Sequence, residues 1–182
     1  IERDARLLPL CAAWCGRTPT IQCADALHVS FSTLATGAYR IVANLPYDIT
    51  TPILWKLLTE EARRPTTITF LLQKEVVDRI CAKKGETNLL ALLCQGAGEV
   101  VRVCAVPKNA FLPPPRVESA VVSIKNIAVT PSAEYLAMLA LAKQAFAAPR
   151  KKMKSTIGQR AGEFGDRRPE ELSVEEWMSL VT

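Results

Sequence analysis

Strand-like runs alternate with helical patterns over the first 128 residues, and no strand pattern follows residue 131. Few architectures accommodate that order. β-Branched and aromatic runs at 39–43, 66–72, 99–105 and 117–124 read as strands, with a shorter one at 20–23. Between them, residues 5–15, 52–62, 73–83 and 88–97 carry apolar residues at helical spacing. Pro9 is awkward inside the first helix. Thr51 reads as the N-cap of the second, with Pro52 at its first position and Ile53, Leu54, Leu57 and Leu58 facing inward. Strand–helix alternation of this kind argues for a mostly parallel α/β sheet. The last two strands flank a proline-rich turn, Pro107 to Pro115, and are close enough to pair antiparallel. Residues 133–147 and 173–181 are helical. The organisation expected is an α/β domain over 1–128 and a small all-helical domain over 129–182.

Composition narrows the function classes. At 49% hydrophobic and 23% charged, the chain is globular rather than disordered. No apolar run approaches 18 residues, so no membrane span is expected, and no signal segment opens the chain. The chain starts on Ile1-Glu2-Arg3-Asp4, without Met or a capping residue. That start reads as the tail of a strand, and the sequence is expected to be N-terminally incomplete. Six cysteines, no CxxC pair and a single histidine, His28, argue against a zinc site. Apolar neighbours around Cys81, Cys94 and Cys104 suggest reduced, buried thiols in a cytoplasmic protein. His28 reads as structural. The net charge of +5 is modest, but residues 143–160 hold Lys143, Arg150, Lys151, Lys152, Lys154 and Arg160 without one acid. Such a segment is either a solvated face or a contact for a phosphate backbone. Arg63-Arg64 and Lys83-Lys84 are weaker surface candidates that solvated turns explain equally well.

In open parallel sheets, ligands bind beyond the carboxyl ends of the strands. Glu2, Asp25 and Asn44 each stand where a strand is expected to end. An acid there can accept hydrogen bonds from ribose hydroxyls; taken singly, Glu2 or Asp25 is equally a loop carboxylate or a helix cap. Asn44-Leu45-Pro46-Tyr47 is more specific. The exocyclic amine of a base is a poor nucleophile, because its lone pair is delocalised into the ring. The Asn side-chain oxygen and a backbone carbonyl can hold its two hydrogens and turn the lone pair towards an incoming methyl. Pro fixes the loop's φ and donates no hydrogen bond. The aromatic ring offers a flipped base a stacking surface worth about 1–3 kcal/mol. An ordinary strand-to-helix turn is the alternative for these four residues alone.

Further motifs accompany this one. Asn44-Leu45-Pro46-Tyr47 with Thr50-Thr51-Pro52 resembles motif IV of the rRNA adenine N6-dimethyltransferases (the KsgA/Erm family). Leu72-Gln73-Lys74-Glu75-Val76 resembles the family's LQKEV, and the run from Phe111 through Pro113-Pro114-Pro115-Arg116-Val117-Glu118-Ser119 to Val122 its FxPPPKVDSAVV segment. Ala145-Phe146 with Arg150-Lys151 resembles its F-x-x-R-R-K stretch. The resemblance covers essentially the whole chain, and the proline segment resembles that of the KsgA-type small-subunit enzymes more than that of the Erm enzymes.

The resemblance implies a class I (Rossmann-like) methyltransferase sheet that lacks the family's first strand and glycine-rich E-x-G-x-G loop, followed by an RNA-facing helical domain. It implies S-adenosylmethionine as cofactor, with Glu2 on its ribose, Asp25 and Ala26 on its adenine, and Asn44 beside its methionine end. Asn44, Leu45, Pro46 and Tyr47 would bind the target adenine, helped by Phe111. Arg150, Lys151, Lys152 and Lys154 would touch rRNA. The implied activity is methyl transfer to N6 of two adjacent adenines near the 3′ end of small-subunit (16S) rRNA, on the pre-30S subunit, by a monomer in the cytoplasm. The alternatives are an Erm-type 23S rRNA enzyme, a non-catalytic ribosome-assembly module, and more remotely a DNA adenine methyltransferase. The sequence departs from the family at Thr87-Asn88-Leu89-Leu90, where Tyr-Gly-Arg-Leu is common, and at Pro149, which replaces the first Arg of R-R-K.

Overall fold

The strands form one mixed sheet in the computed structural model, which describes residues 1–14 and 20–182. Strands β1 (Arg40–Asn44), β2 (Thr67–Gln73), β3 (Glu99–Val106) and β4 (Ser119–Lys125) lie in the order β1-β2-β4-β3. β1 and β2 are parallel, with Asn44 opposite Leu71. β4 is antiparallel to both β2 and β3. The expectation of a mostly parallel sheet is therefore corrected: three strands share a direction, but β4 runs against both its neighbours. The cause is the connection after β3. A parallel return needs a crossover, usually helical, whereas residues 107–118 hold only one 3-10 turn, Lys108–Ala110. The antiparallel pairing expected for these last two strands is present. β4 sits between two strands and is buried on both faces, through Ala120 and Val122 on one and Ser119 and Ser123 among the rest.

The short strand expected at 20–23 reduces to one parallel bridge between Glu2 and Cys23. Its hydrogen bonds run from Glu2 N–H to the Gln22 carbonyl and from Ala24 N–H to the Glu2 carbonyl, 3.0 and 3.1 Å. Helix α1 (Leu8–Trp14) follows a 3-10 turn, Ala5–Leu7. Pro9 lies in its first turn, where no N–H is needed, which removes the difficulty. Of the apolar positions expected to face inward, Leu7 is exposed, whereas Leu8 and Cys11 are half-buried. Cys15, the end of that expected helix, lies outside the described residues.

Helix α2 is the single turn Phe31–Leu34. Helix α3 spans Thr50–Trp55 and continues as a π turn, Lys56–Glu60. Its N-cap is Ile49, not Thr51, and Pro52 is the third residue, still inside the turn that tolerates proline. Ile53, Leu54, Leu57 and Leu58 are buried as expected. α4 (Lys74–Ile80) follows β2 without a loop. α5 (Leu89–Gln95) is capped by Asn88, whose Oδ1 accepts from the Leu90 and Ala91 N–H groups, both at 3.1 Å. Leu90 to Cys94 are all buried, the mark of a helix covered on every side.

Helices α6 (Ala133–Phe146), α7 (Met153–Thr156) and α8 (Val174–Ser179) follow. α6 packs on α5, and the Tyr135 hydroxyl donates to the Leu93 carbonyl at 2.7 Å. One continuous core runs from Phe70 and Leu72 of β2 through Leu92 to Met138 of α6 and Trp177 of α8. Trp177 stacks on Phe146 with ring centroids 5.9 Å apart.

Two surface readings are corrected. Arg64 is 3% exposed, not a solvated turn residue. Its guanidinium donates to the carbonyls of Ala128, Thr130 and Leu58 at 2.7, 3.1 and 3.3 Å. Arg63 is half-buried and donates to the Ser32 and Ala35 carbonyls. Of the described cysteines only Cys94 is fully buried, its thiol pushed up by desolvation; Cys23 and Cys104 are exposed. Cys104 lies on the outer strand β3, beside an irregularity between Arg102 and Cys104 that shifts the register.

Candidate active site

The ends of β1, β2 and β3 and the start of β4 lie along one edge of the sheet, with Gln73 and Val106 both opposite Ser119. A cavity of about 360 Å³ opens there, within the usual range of small-molecule sites. Glu2, Asp25, Ala26, Asn44, Leu45 and Pro46 all line it. Residues more than 40 positions apart therefore converge on one cavity. Their rigidity comes from local backbone bonds. The Glu2–Cys23 bridge sets the Glu2 and Asp25 segments side by side. Glu2 Oε1 accepts from the Asp4 N–H at 2.8 Å, and Asp25 Oδ1 from the Leu27 N–H at 2.9 Å. Among the described residues the second oxygen of Glu2 has no protein partner, whereas that of Asp25 faces two basic groups. Asp25 Oδ2 has Arg3 at 3.9 Å and His28 Nδ1 at 3.6 Å, and His28 is exposed.

Asn44 closes β1, its Cα fixed by the parallel pairing with β2. Among the described residues its side-chain amide has no protein partner. Pro46 ends the extended segment with φ −55° and ψ 138°, and Tyr47–Ile49 forms a 3-10 turn leading into α3. Tyr47 does not line the cavity. It is partly exposed, and its hydroxyl lies 3.3 Å from the buried Ser119 Oγ, tying the motif to the start of β4. Phe111 lies on the β3–β4 connection at the same edge, also outside the cavity.

The apolar wall includes Phe31 and Ile41, which the sequence reading missed, as it missed Asp48. Phe31 is held by Glu61, which is 6% exposed. Glu61 Oε1 accepts from the Phe31 N–H at 3.1 Å and Oε2 from the Ser32 N–H at 3.0 Å, while Lys56 Nζ stands 3.4 Å away. Burial alone would raise this carboxyl. The Ser32 and Phe31 N–H groups, the Ser32 side chain and the Lys56 ammonium outweigh burial and hold it below its ordinary value. A depressed folded-state value stabilises the fold above the unfolded carboxyl's titration, and that contribution disappears as pH falls through the folded value. Glu61→Gln is expected to lose about 1–2 kcal/mol at pH 7 and to show a flatter fall in stability below pH ~4.5. Urea unfolding at pH 7 and pH 4 measures both; equal losses at the two pH values would contradict the clamp.

The basic segment divides. Lys152 and Lys154 share Asp166, at 3.0 and 2.7 Å, and the two ammonium groups lower that carboxyl to about 2. Lys143 sits over the Trp55 ring at 4.0 Å, and Arg160 bonds to Gln144. Arg150 and Lys151 are exposed, without an ion pair among the described residues. All of these lie outside the cavity.

A family profile described as "Ribosomal RNA adenine dimethylase" matches residues 1–176. The ribosomal RNA small subunit methyltransferase A of Phenylobacterium zucineum is 38% identical over 169 residues, 90% of this chain and 59% of that protein. The protein of the same name from Cereibacter sphaeroides (strain ATCC 17025) is 37% identical over 200 residues, the whole of this chain and 71% of that protein. The chain spans 59–66% of the length of the first four curated relatives. In fold it is similar to a dimethyladenosine transferase from Plasmodium falciparum (TM-score 0.77, 18% identity, 98% of this chain and 78% of that one). It is equally similar to the 23S rRNA methyltransferase ErmE (TM-score 0.75, 22% identity, 99% and 78%). The fold is thus the Rossmann-like methyltransferase fold implied by the motifs, and by its profile match and its relatives the chain belongs to the ribosomal RNA adenine dimethylase family.

Proposed function

We propose that the chain carries the methyl-transfer site of an rRNA adenine N6-dimethyltransferase acting on two adjacent adenines near the 3′ end of small-subunit rRNA. The observation that carries this reading is the convergence of Glu2, Asp25 and Asn44 on one cavity beside the Asn44–Tyr47 turn. The donor set suits S-adenosylmethionine. A free carboxylate oxygen on Glu2 can accept from ribose hydroxyls, Asp25 can accept from an adenine amine, and Ala26, Phe31 and Ile41 give an apolar wall. When bound, that cofactor supplies an electrophilic sulfonium methyl. The protein's own contribution is orientation and exclusion of water rather than acid–base catalysis. Asn44 Oδ1 holds an amine hydrogen and turns the nitrogen lone pair. Pro46 keeps the turn open, and Tyr47 presents a ring to the base. Phe111 assists from the β3–β4 connection. Arg150 and Lys151, with Lys152 and Lys154, contact phosphates from an RNA-facing helical domain over 129–182. The exposed pairs with Asp166 are weak enough for a phosphate to displace. The partner is the pre-30S subunit, the working form a monomer, and the compartment the cytoplasm. Among the described residues no helix is long and apolar enough to cross a membrane.

Transfer of labelled methyl from S-adenosylmethionine tests this with two substrates in parallel, unmethylated small subunits and naked large-subunit rRNA. Label on the small subunit supports the reading. Label on large-subunit RNA alone assigns the chain the other substrate, and RNA binding without label on either makes it an assembly module.

A further inference from the structure

We propose that Glu61 is a positioning residue of the cofactor site, setting affinity for S-adenosylmethionine by holding Phe31 in the cavity wall. The inference rests on the methyl-transfer reading above and adds a residue to it. Phe31 opens helix α2 and lines the cavity together with Asp25 and Ala26. That helix is the single turn Phe31–Leu34, too short to hold itself in water. Its N-cap, Ser30, makes no side-chain capping bond. The first N–H groups of a helix need acceptors, and here a carboxylate 30 positions further along the chain supplies them. Glu61 Oε1 accepts from the Phe31 N–H and Oε2 from the Ser32 N–H, at 3.1 and 3.0 Å. Arg63 donates to the carbonyls of Ser32 and of Ala35, the residue that ends the turn. Glu61 and Arg63 thus grip both ends of the turn that carries Phe31.

Glu61 is itself fixed by the element that leaves the Asn44–Tyr47 turn. Its N–H donates to the Lys56 carbonyl at 3.1 Å, closing the π turn Lys56–Glu60. The Lys56 ammonium stands 3.4 Å from Oε1. π Turns within α-helices are frequent at functional sites. This one extends α3, whose Ile53 lines the cavity, and contributes Leu57 to the same lining. One stretch of chain, 44–63, therefore carries the Asn44–Tyr47 turn, part of the apolar lining and the clamp on Phe31. The Glu61 side chain is 3% exposed and does not line the cavity, so it acts through Phe31 and not on a ligand directly. Burying a carboxylate is costly. A wall that stands in place before the ligand arrives gives that burial a purpose, because it removes ordering that binding would otherwise have to offset.

The test is calorimetric titration of the full natural chain with S-adenosylmethionine. Glu61→Ala is expected to weaken binding about tenfold, and Glu61→Gln, which keeps one acceptor, about threefold. Phe31→Ala removes the ring but keeps the N–H that Glu61 holds. In that background Glu61→Ala is expected to weaken binding no further, since its whole effect passes through the ring. Leu172→Ala, at a fully buried position outside the cavity, lowers stability by opening a space in the core and is expected to keep native affinity. Thermal melting sets an assay temperature at which every variant is folded, and Glu61→Gln carries the test if Glu61→Ala does not fold. Native affinity in the Glu61 variants overturns the positioning role. Equal losses with and without the Phe31 ring overturn it too, because Glu61 then acts elsewhere. A comparable loss in Leu172→Ala makes the effect a consequence of lower stability and also overturns it. If the native chain takes up no S-adenosylmethionine, the underlying methyl-transfer reading itself fails and the positioning role with it.

Discussion

Asn44→Ala is expected to lower kcat for methyl transfer by about 10³-fold, the upper end for removing one well-placed acceptor or donor, while RNA affinity stays within about threefold of native. The split follows from where charge develops. The attacking N6 gains positive charge as its bond to the methyl forms, so its hydrogens bind an acceptor more strongly in the transition state than in the ground state. Asn44 Oδ1 is free for that task because no protein group engages the amide among the described residues. The parallel register with Leu71 holds its Cα in place, so the truncation leaves the strand intact. The proposed phosphate contacts at Arg150 and Lys151 lie outside the cavity and are untouched. Steady-state kinetics on unmethylated small subunits together with filter binding measure the two quantities. A fall in affinity that accounts for the whole loss would make Asn44 a binding residue only.

Arg64→Ala is expected to lower unfolding stability by about 3 kcal/mol, since a buried charged donor leaves and carbonyls lose their partners. For a chain of this size that is a fall in Tm on the order of 10 °C. Arg64 joins the middle of the π turn, at Leu58, to Ala128 and Thr130, where the sheet passes into the helical region. Its guanidinium also lies 5.5 Å from the centre of the Tyr135 ring. Arg64→Lys keeps the charge but not the three-way fork, and is expected to recover less than half the loss. Thermal and urea unfolding measure the change; a loss below about 1 kcal/mol would mean that water replaces the guanidinium.

Arg64 also illustrates what the sequence conceals. Two adjacent arginines after a helix look like a solvated turn, because nothing local announces that carbonyls 64 to 66 residues later will converge on one of them. Glu61 is hidden for the same reason: its N–H partners, Phe31 and Ser32, come from a segment without a periodic pattern. Phe31 consequently went unrecognised as a wall of the cavity. The strands were legible because β2 alternates in burial and packs β-branched residues, and helix α5 because Leu89 to Cys94 is an unbroken apolar run behind an asparagine cap. The orientation of β4 was only half legible. Its proximity to β3 predicted antiparallel pairing, but insertion between β2 and β3 depends on which strand is buried on both faces, and Ser119 and Ser123 give one face of β4 a polar pattern that hides this. The candidate site residues come from local chemistry at strand ends and from motif resemblance, and Glu2, Asp25, Ala26 and Asn44 line one cavity. Tyr47 and Phe111 lie outside it, Tyr47 tied to the start of β4 by Ser119.

The central claim is that this cavity and turn direct a methyl group to adenine N6 of small-subunit rRNA. Nucleoside mass spectrometry of that RNA, after reaction of the full natural chain with S-adenosylmethionine and unmethylated small subunits, addresses it most directly. The account predicts N6-methylated adenosine confined to the adjacent adenines near the 3′ end, and its absence with Asn44→Ala. Methylation at another atom or base, or undiminished N6 methylation by Asn44→Ala, would contradict it.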